Sequence, residues 1–172
     1  MLHRTSLLAV GLPALVAAAG NTPNLTALIA SNSQLSGIAS LFSAYPSVGG
    51  SFTNLTNITF FAPNNAAIKA VEASGALSNV NPAFLLDGLQ YHVANGMIYA
   101  SDISSTPTFA HTTLNNSLLT NVTGGQVVEA VLNGTNVDII GGLKLGAQVV
   151  QAVSTLSKTF LATQFADVVF RT

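Results

Sequence analysis

Residues 59–68 read TFFAPNNAAI, and this decides the fold. The stretch starts as a strand. Ile58, Phe60 and Ala62 fall on one side of a pleated chain, Thr59 and Phe61 on the other. Pro63 stops the ladder because it has no N–H to donate. Asn64 or Asn65 then supplies a side-chain oxygen to cap a helix, which Ala66, Ala67, Ile68, Ala70 and Val71 continue. Strand, Pro-Asn-Asn corner and helix make a rigid bend that forms core on both arms.

Around this corner lies a chain of 172 residues, a length that suits one domain with appendages. Apolar residues make up 49% of it, enough for a large core at this size. Charge is scarce, with a formal net value of −1. There is no basic patch, so a nucleic-acid partner, whose binding depends on phosphate neutralisation, is not expected. The chain has no cysteine, which excludes disulfides, thiolate chemistry and cysteine-based zinc sites together.

Residues 1–19 read as a signal peptide. His3 and Arg4 form a short basic region, residues 7–16 an apolar core interrupted by Pro13, and Ala17-Ala18-Ala19 a small-residue cleavage site. The apolar run is too short to span the roughly 20 residues of a bilayer core. Six Asn-X-Ser/Thr sequons follow, at Asn24, Asn54, Asn57, Asn115, Asn121 and Asn133. Behind a signal peptide they predict a secreted glycoprotein, extracellular or in a cell wall, with glycans keeping so uncharged a surface soluble. Asn57 stands apart, because it opens the strand that enters the core corner.

Before the corner, Leu25, Leu28 and Ile29 form a short amphipathic turn or two. Leu35, Ile38, Leu41, Phe42 and Tyr45 recur at helical spacing and read as a core stripe. Pro46 ends that helix and Gly49-Gly50 is expected in a loop. After the corner, Asn81 caps and Pro82 opens a helix, AFLLDGLQYHVANG, with Leu85, Leu89, His92 and Val93 on one face and Asn95-Gly96 closing it. His92 has two readings: a base or metal ligand, or a partly buried ring that hydrogen-bonds nearby backbone and locks helix to sheet. The second is favoured, since His111 is the other histidine beyond residue 20 and no ligand cluster accompanies them.

From residue 97 the pattern turns to strands: a short one at 97–99, then 109–114, 126–132, 135–140 and 147–150. Asn133-Gly134 is a strong hairpin signal. The Tyr91-His92 pair followed by Val93 and Gly96 resembles the second signature of the fasciclin-like domain family. The first signature, Thr, two apolar residues, Ala-Pro, a polar pair, then Ala and an apolar residue, is matched by Thr59, Phe60, Phe61, Ala62, Pro63 and Asn64 onward. Thr112-Thr113-Leu114 is similar to the family's Thr-Leu strand, and residues 124–142, GGQVVEAVLNGTNVDIIGG, look like the middle of a fungal-type fasciclin domain. The resemblance covers residues 25–152, so 20–152 is expected to be the domain. It implies an α+β fold, a β-wedge or sandwich with several helices packed on it. It also implies adhesion or matrix interaction, with the two signatures structural or adhesive and none of their residues catalytic. The implied partner is a cell-surface or matrix protein or glycan.

Residues 153–172, VSTLSKTFLATQFADVVFRT, depart from the family. They lack its Asn-Gly, its histidine and its closing Leu-Pro. Either residues 163–170 supply a substitute strand, or the end is mistranslated, as from an unspliced intron. The abruptness of the break favours the second. No lipid anchor is visible in this tail.

Chemistry is not signalled. There is no Gly-X-Ser-X-Gly elbow, Glu72, Asp87, Asp102, Glu129, Asp138 and Asp167 are scattered, and 141–144 (GGLK) reads as a turn, not a phosphate loop. The expectation is a non-enzymatic module with no cofactor and no metal. The alternative is a binding module for a small apolar ligand or glycan, held between sheet and helices.

Overall fold

A computed structural model of the chain describes residues 24–120, 125–142, 146–154 and 158–163. Three asparagines start α-helices by the same device, a side-chain oxygen accepting an otherwise unpaired backbone N–H. Asn24 caps α1 (Leu25–Ala30), Asn64 caps α4 (Asn65–Ala73) and Asn81 caps α5 (Pro82–Tyr91). Between α1 and α4 run a 3-10 turn (Ser33–Leu35), α2 (Ser36–Ala44) and α3 (Pro46–Gly50). Leu35, Ile38 and Phe42 of the stripe are buried. Pro46 both ends α2 and opens α3, where its missing N–H is harmless. Gly49 and Gly50, expected in a loop, therefore lie in a helix. A Cβ at Gly49 would sit 3.0 Å from the Cβ of Phe42, so the glycine lets α3 close on α2. Phe42 in turn stacks on Phe52, ring centroids 5.8 Å apart.

The strands form one seven-stranded sheet in the order β2-β1-β7-β6-β5-β4-β3. Strand β1 (Ile58–Pro63) is internal, antiparallel to β2 (Val93–Asn95) and parallel to β7 (Lys158–Thr163). All six of its residues are buried, and the expected alternation holds. Ile58, Phe60 and Ala62 join a core with α1, α2, α4 and α5, while Phe61 joins a second core with Tyr91, Ile103, Val128 and Ile139. Strands β3 (Thr108–His111), β4 (Val127–Asn133), β5 (Asn136–Ile140) and β6 (Gly146–Ser154) continue the sheet antiparallel. Its two ends then meet. Ala94 bridges Thr112, and the Thr113 N–H donates to the Val93 carbonyl at 2.7 Å. The sheet thus curls round the second core, with helices against its β1–β2 side. This is the expected α+β wedge.

Four local expectations need correction. Helix α5 ends at Tyr91, not at Asn95-Gly96. Val93–Asn95 is drawn into β2 because pairing with β1 satisfies backbone groups that a further helical turn would leave facing the core. Residues 97–99 form no strand; the chain there turns into a 3-10 turn, Ala100–Asp102. Strand β3 stops at His111, with only the Thr112 bridge beyond it. Asn133 pairs with Asn136, so the hairpin turn is Gly134-Thr135, one position later than expected, with Gly134 at φ +64°.

The tail expectation also meets a definite strand. Lys158–Thr163 fills the place beside β1, pairing Phe60 with Phe160 and Pro63 with Thr163, and β6 covers its other edge. The substitute strand expected at 163–170 falls, after Thr163, outside the described residues.

Candidate interaction site

The fold brings the two signature stretches side by side. Thr59 pairs with Ala94 and Phe60 with Val93, and the Phe61 N–H donates to the His92 carbonyl at 2.8 Å. The Thr59 hydroxyl donates to the Gly96 carbonyl at 2.9 Å and accepts from the Ile98 N–H at 2.8 Å. Asn64 Oδ1 accepts from the Ala67 N–H at 2.9 Å. Its neighbour Asn65 reaches the other way: Oδ1 accepts from the Gly37 N–H and Nδ2 donates to the Ser33 carbonyl, both at 2.8 Å. The corner is thereby tied to α2.

Tyr91 and His92 serve the same joint. The Tyr91 hydroxyl accepts from the Gly142 N–H at 2.9 Å, linking the end of α5 to the turn after β5. Burial pushes its pKa above the usual 10.0, against the opposing effect of that hydrogen bond. His92 caps α5, with its Nδ1 2.9 Å from the Gly88 carbonyl. A carbonyl only accepts, so Nδ1 carries the proton in that bond. Loss of hydration lowers the His92 pKa below 6.5, partly offset by Gly88. The bond lies within α5, so it fastens the ring to its own helix rather than to the sheet.

Thr59, Phe60, Phe61, Ala62, Pro63, Asn64 and Tyr91 are all buried. They position surface; they do not present it. Among the described residues no cluster of three or more His, Asp or Glu side chains lies within reach of one metal ion. The carboxylates of Asp87 and Asp138 accept hydrogen bonds from Asn116 Nδ2 and Asn133 Nδ2, at 2.7 and 3.1 Å.

What the fold presents is the outer face of β3–β6. Ala110, Val128, Ala130, Ile139 and Ala147 point inward and are buried. Alternation turns Phe109, Val131, Ile140 and Val150 outward. Phe109 is 65% exposed and Val150 49%. Phe109 pairs with Glu129, which pairs with Ile140, and Val131 pairs with Asp138, so carboxylates sit between the apolar side chains across this face. The sequence reading recognised these strands but not this face. The available signal was the small inward Ala110 between outward Phe109 and His111.

Asn24, Asn54, Asn57, Asn115 and Asn133 are exposed, and Asn121 lies outside the described residues. Asn24 Oδ1 is held by the Ala27 N–H and the Thr26 hydroxyl, at 2.8 and 2.9 Å. A groove of about 600 Å³ lies among α1, α2 and α3, lined by Asn24, Ala27, Ile29, Phe42, Pro46 and Gly49. It sits among helices, not between helices and sheet. No helix of the described residues is long and apolar enough to cross a membrane.

The fasciclin domain family model matches residues 33–160. The chain is 31% identical over 140 residues to the fasciclin-like arabinogalactan protein elcF of Phaeosphaeria nodorum, covering 77% of this chain and 43% of that protein. It is 26% identical over 122 residues to a fasciclin-like arabinogalactan protein of Arthroderma benhamiae, covering 69% and 29%. The chain thus spans less than half the length of either relative. A solved FAS1 domain pair from the insect cell adhesion molecule fasciclin I superposes with a TM-score of 0.61 at 17% identity, over 81% of this chain and 46% of that one. The family is associated with adhesion-type proteins and is in general non-enzymatic. With most of its length matched and its strand order and corner in place, the chain belongs to the fasciclin domain family.

Proposed function

We propose that the chain is a secreted, N-glycosylated adhesion or matrix-interaction domain that acts by surface contact without chemistry. The observation that carries this reading is the outer face of β3–β6. Exposed Phe109 and Val150 sit there with Val131 and Ile140, while the signature residues other than half-buried His92 are committed to the interior. A sheet face that mixes exposed apolar side chains with carboxylates has the composition of an interaction surface that is not core. A cell-surface or wall protein or glycan is the partner class. Glycans on the exposed sequons would keep the remaining surface in solution.

The test uses the chain made in a eukaryotic secretory host and bound to beads. Retention by cell-wall and matrix preparations is compared with that of Phe109→Asp/Val131→Asp. A roughly tenfold loss of retention at unchanged circular dichroism is expected, since central apolar contacts dominate such interfaces. No retention of the unaltered chain would sink the reading. A second reading, a small-ligand module, is favoured by the α1–α3 groove alone. Displacement of an apolar dye, abolished by Ala39→Arg, a substitution at a further residue of the groove lining, would support it.

A further inference from the structure

Among the described residues, one sequon differs in kind from the rest. In Asn24-Leu25-Thr26, Asn54-Leu55-Thr56, Asn115-Asn116-Ser117 and Asn133-Gly134-Thr135 the hydroxyl residue is exposed or half-buried. In Asn57-Ile58-Thr59 it is fully buried, with 0% exposure.

N-linked glycosylation is a transfer from an oligosaccharide carried on a lipid pyrophosphate. The asparagine Nδ2 forms a bond to the anomeric carbon as the bond from that carbon to the pyrophosphate oxygen breaks. Nδ2 gives up a proton, and the lipid pyrophosphate leaves. The transferase reads the hydroxyl two residues after the asparagine and needs the tripeptide accessible and extended.

We propose that Asn57 is a modification site open only to the unfolded chain, because the Thr59 hydroxyl that the transferase must read is taken up by Gly96 and Ile98 in the native fold. Both capacities of that hydroxyl are engaged: it donates to Gly96 O at 2.9 Å and accepts from Ile98 N–H at 2.8 Å. The main chain is closed as well. Ile58 pairs with Asn95 on one side and Lys158 on the other, and Thr59 with Ala94 and Thr159. Asn57 sits at φ +52°, left-handed and not extended, with its carbonyl accepting from the Gly96 N–H at 2.8 Å.

These obstacles arrive late. The partners of Thr59 lie 37 and 39 residues further along the chain, and the β7 pairing begins at Lys158. A chain delivered from its N-terminus passes the sequon before any of them exist. Once attached, a glycan does not oppose folding, because Asn57 is exposed and its own fold contact runs through its carbonyl, not through Nδ2. Occupancy at Asn57 therefore records a race between transfer and the closing of β2 onto β1. Asn54, three positions earlier with an exposed Thr56, stays readable in both states.

The inference rests on the secretory reading for its biological setting, but its test does not. Full-length chain made without glycosylation is given to a purified single-subunit oligosaccharyltransferase with lipid-linked oligosaccharide. It is presented either native, diluted from urea directly into the reaction, or as Val93→Asp, which places a charge at a fully buried position opposite Phe60 and keeps β2 off β1. Site occupancy is read by peptide mass spectrometry. At Asn57 the native arm is expected at least about tenfold below the other two, while Asn54 stays within about twofold, because Asn57 and not Asn54 requires opening of the core. Equal Asn57 occupancy in native and unfolded arms overturns the proposal. So does a matching fall at Asn54, or no transfer to Asn57 in any arm. A chain found unglycosylated in a secretory host would instead sink the secretory reading and leave this result standing.

Discussion

The Thr59 hydroxyl donates a 2.9 Å hydrogen bond to the carbonyl of Gly96, across the corner where β2 leaves β1. The same oxygen receives the Ile98 N–H, so one buried side chain fixes both the end of β2 and the path of the loop after it. Thr59→Val keeps the shape and removes both bonds. A buried group left unpaired costs about 1–3 kcal/mol, and partial access of water to Gly96 and Ile98 moderates this. The expected loss is about 2 kcal/mol in urea unfolding. Thr59→Ser keeps the hydroxyl and loses a methyl group, for an expected loss of about 1 kcal/mol. Equal losses for the two variants would show that the hydroxyl contributes little.

Asn64 and Asn65 look interchangeable in the sequence, and each was a candidate helix cap. The structure divides the work. Asn64 caps α4 through the Ala67 N–H, and Asn65 clamps Gly37 and Ser33. Loss of a cap costs about 1 kcal/mol, so Asn64→Ala is expected to lower stability by that amount. Asn65→Ala removes two hydrogen bonds, one from α4 to Gly37 of α2 and one to Ser33 of the 3-10 turn before it, for an expected loss of about 2 kcal/mol. Asn65→Asp keeps the acceptor for Gly37 but not the donor to Ser33, and should fall between. Unfolding midpoints of the three variants check the order. An Asn64→Ala loss well above that of Asn65→Ala would reverse the assignment.

The corner was legible because it is local. Pro63 ends a strand, an asparagine caps a helix and the apolar alternation of β1 is short-range, so residues 58–68 carry their own instructions. Asn81-Pro82 opens α5 for the same reason. What could not be read depends on distant partners. Val93–Asn95 continues the helical pattern of α5 and becomes a strand because β1 is beside it. Thr59 carries no mark that it is buried, since the partners of its hydroxyl, Gly96 and Ile98, lie 37 and 39 residues further along the chain. Pro46 signals a break, and nothing local says that a second helix begins at once. Of the interaction face, the strands were visible, but the outward exposure of Phe109 depends on which side of the sheet the second core fills. The signature residues themselves were found, while their burial was a product of the whole fold.

His92 makes stability depend on pH in a definable direction. Its pKa in the folded chain lies below the usual 6.5, chiefly because burial disfavours the imidazolium. The unfolded chain therefore binds a proton more readily than the folded one once pH falls below about 6.5. The stabilisation is present above that value and is lost as pH drops toward the folded-state pKa. His92→Gln removes this titration while retaining a side-chain donor for the Gly88 carbonyl. Every other ionisable group is common to both chains, so the difference between them isolates His92. Urea midpoints measured from about pH 7.5 down to 5 should fall faster for the unaltered chain than for His92→Gln. At the upper end the variant is expected to be less stable by about 1 kcal/mol, through imperfect replacement of one hydrogen bond. The gap should then narrow with acid, as the half-buried ring is forced to charge. Parallel lines across the range would mean that His92 titrates alike in both states. A gap that widens with acid would mean that the folded chain holds the charged ring, and that His92 acts as a cation at the end of α5.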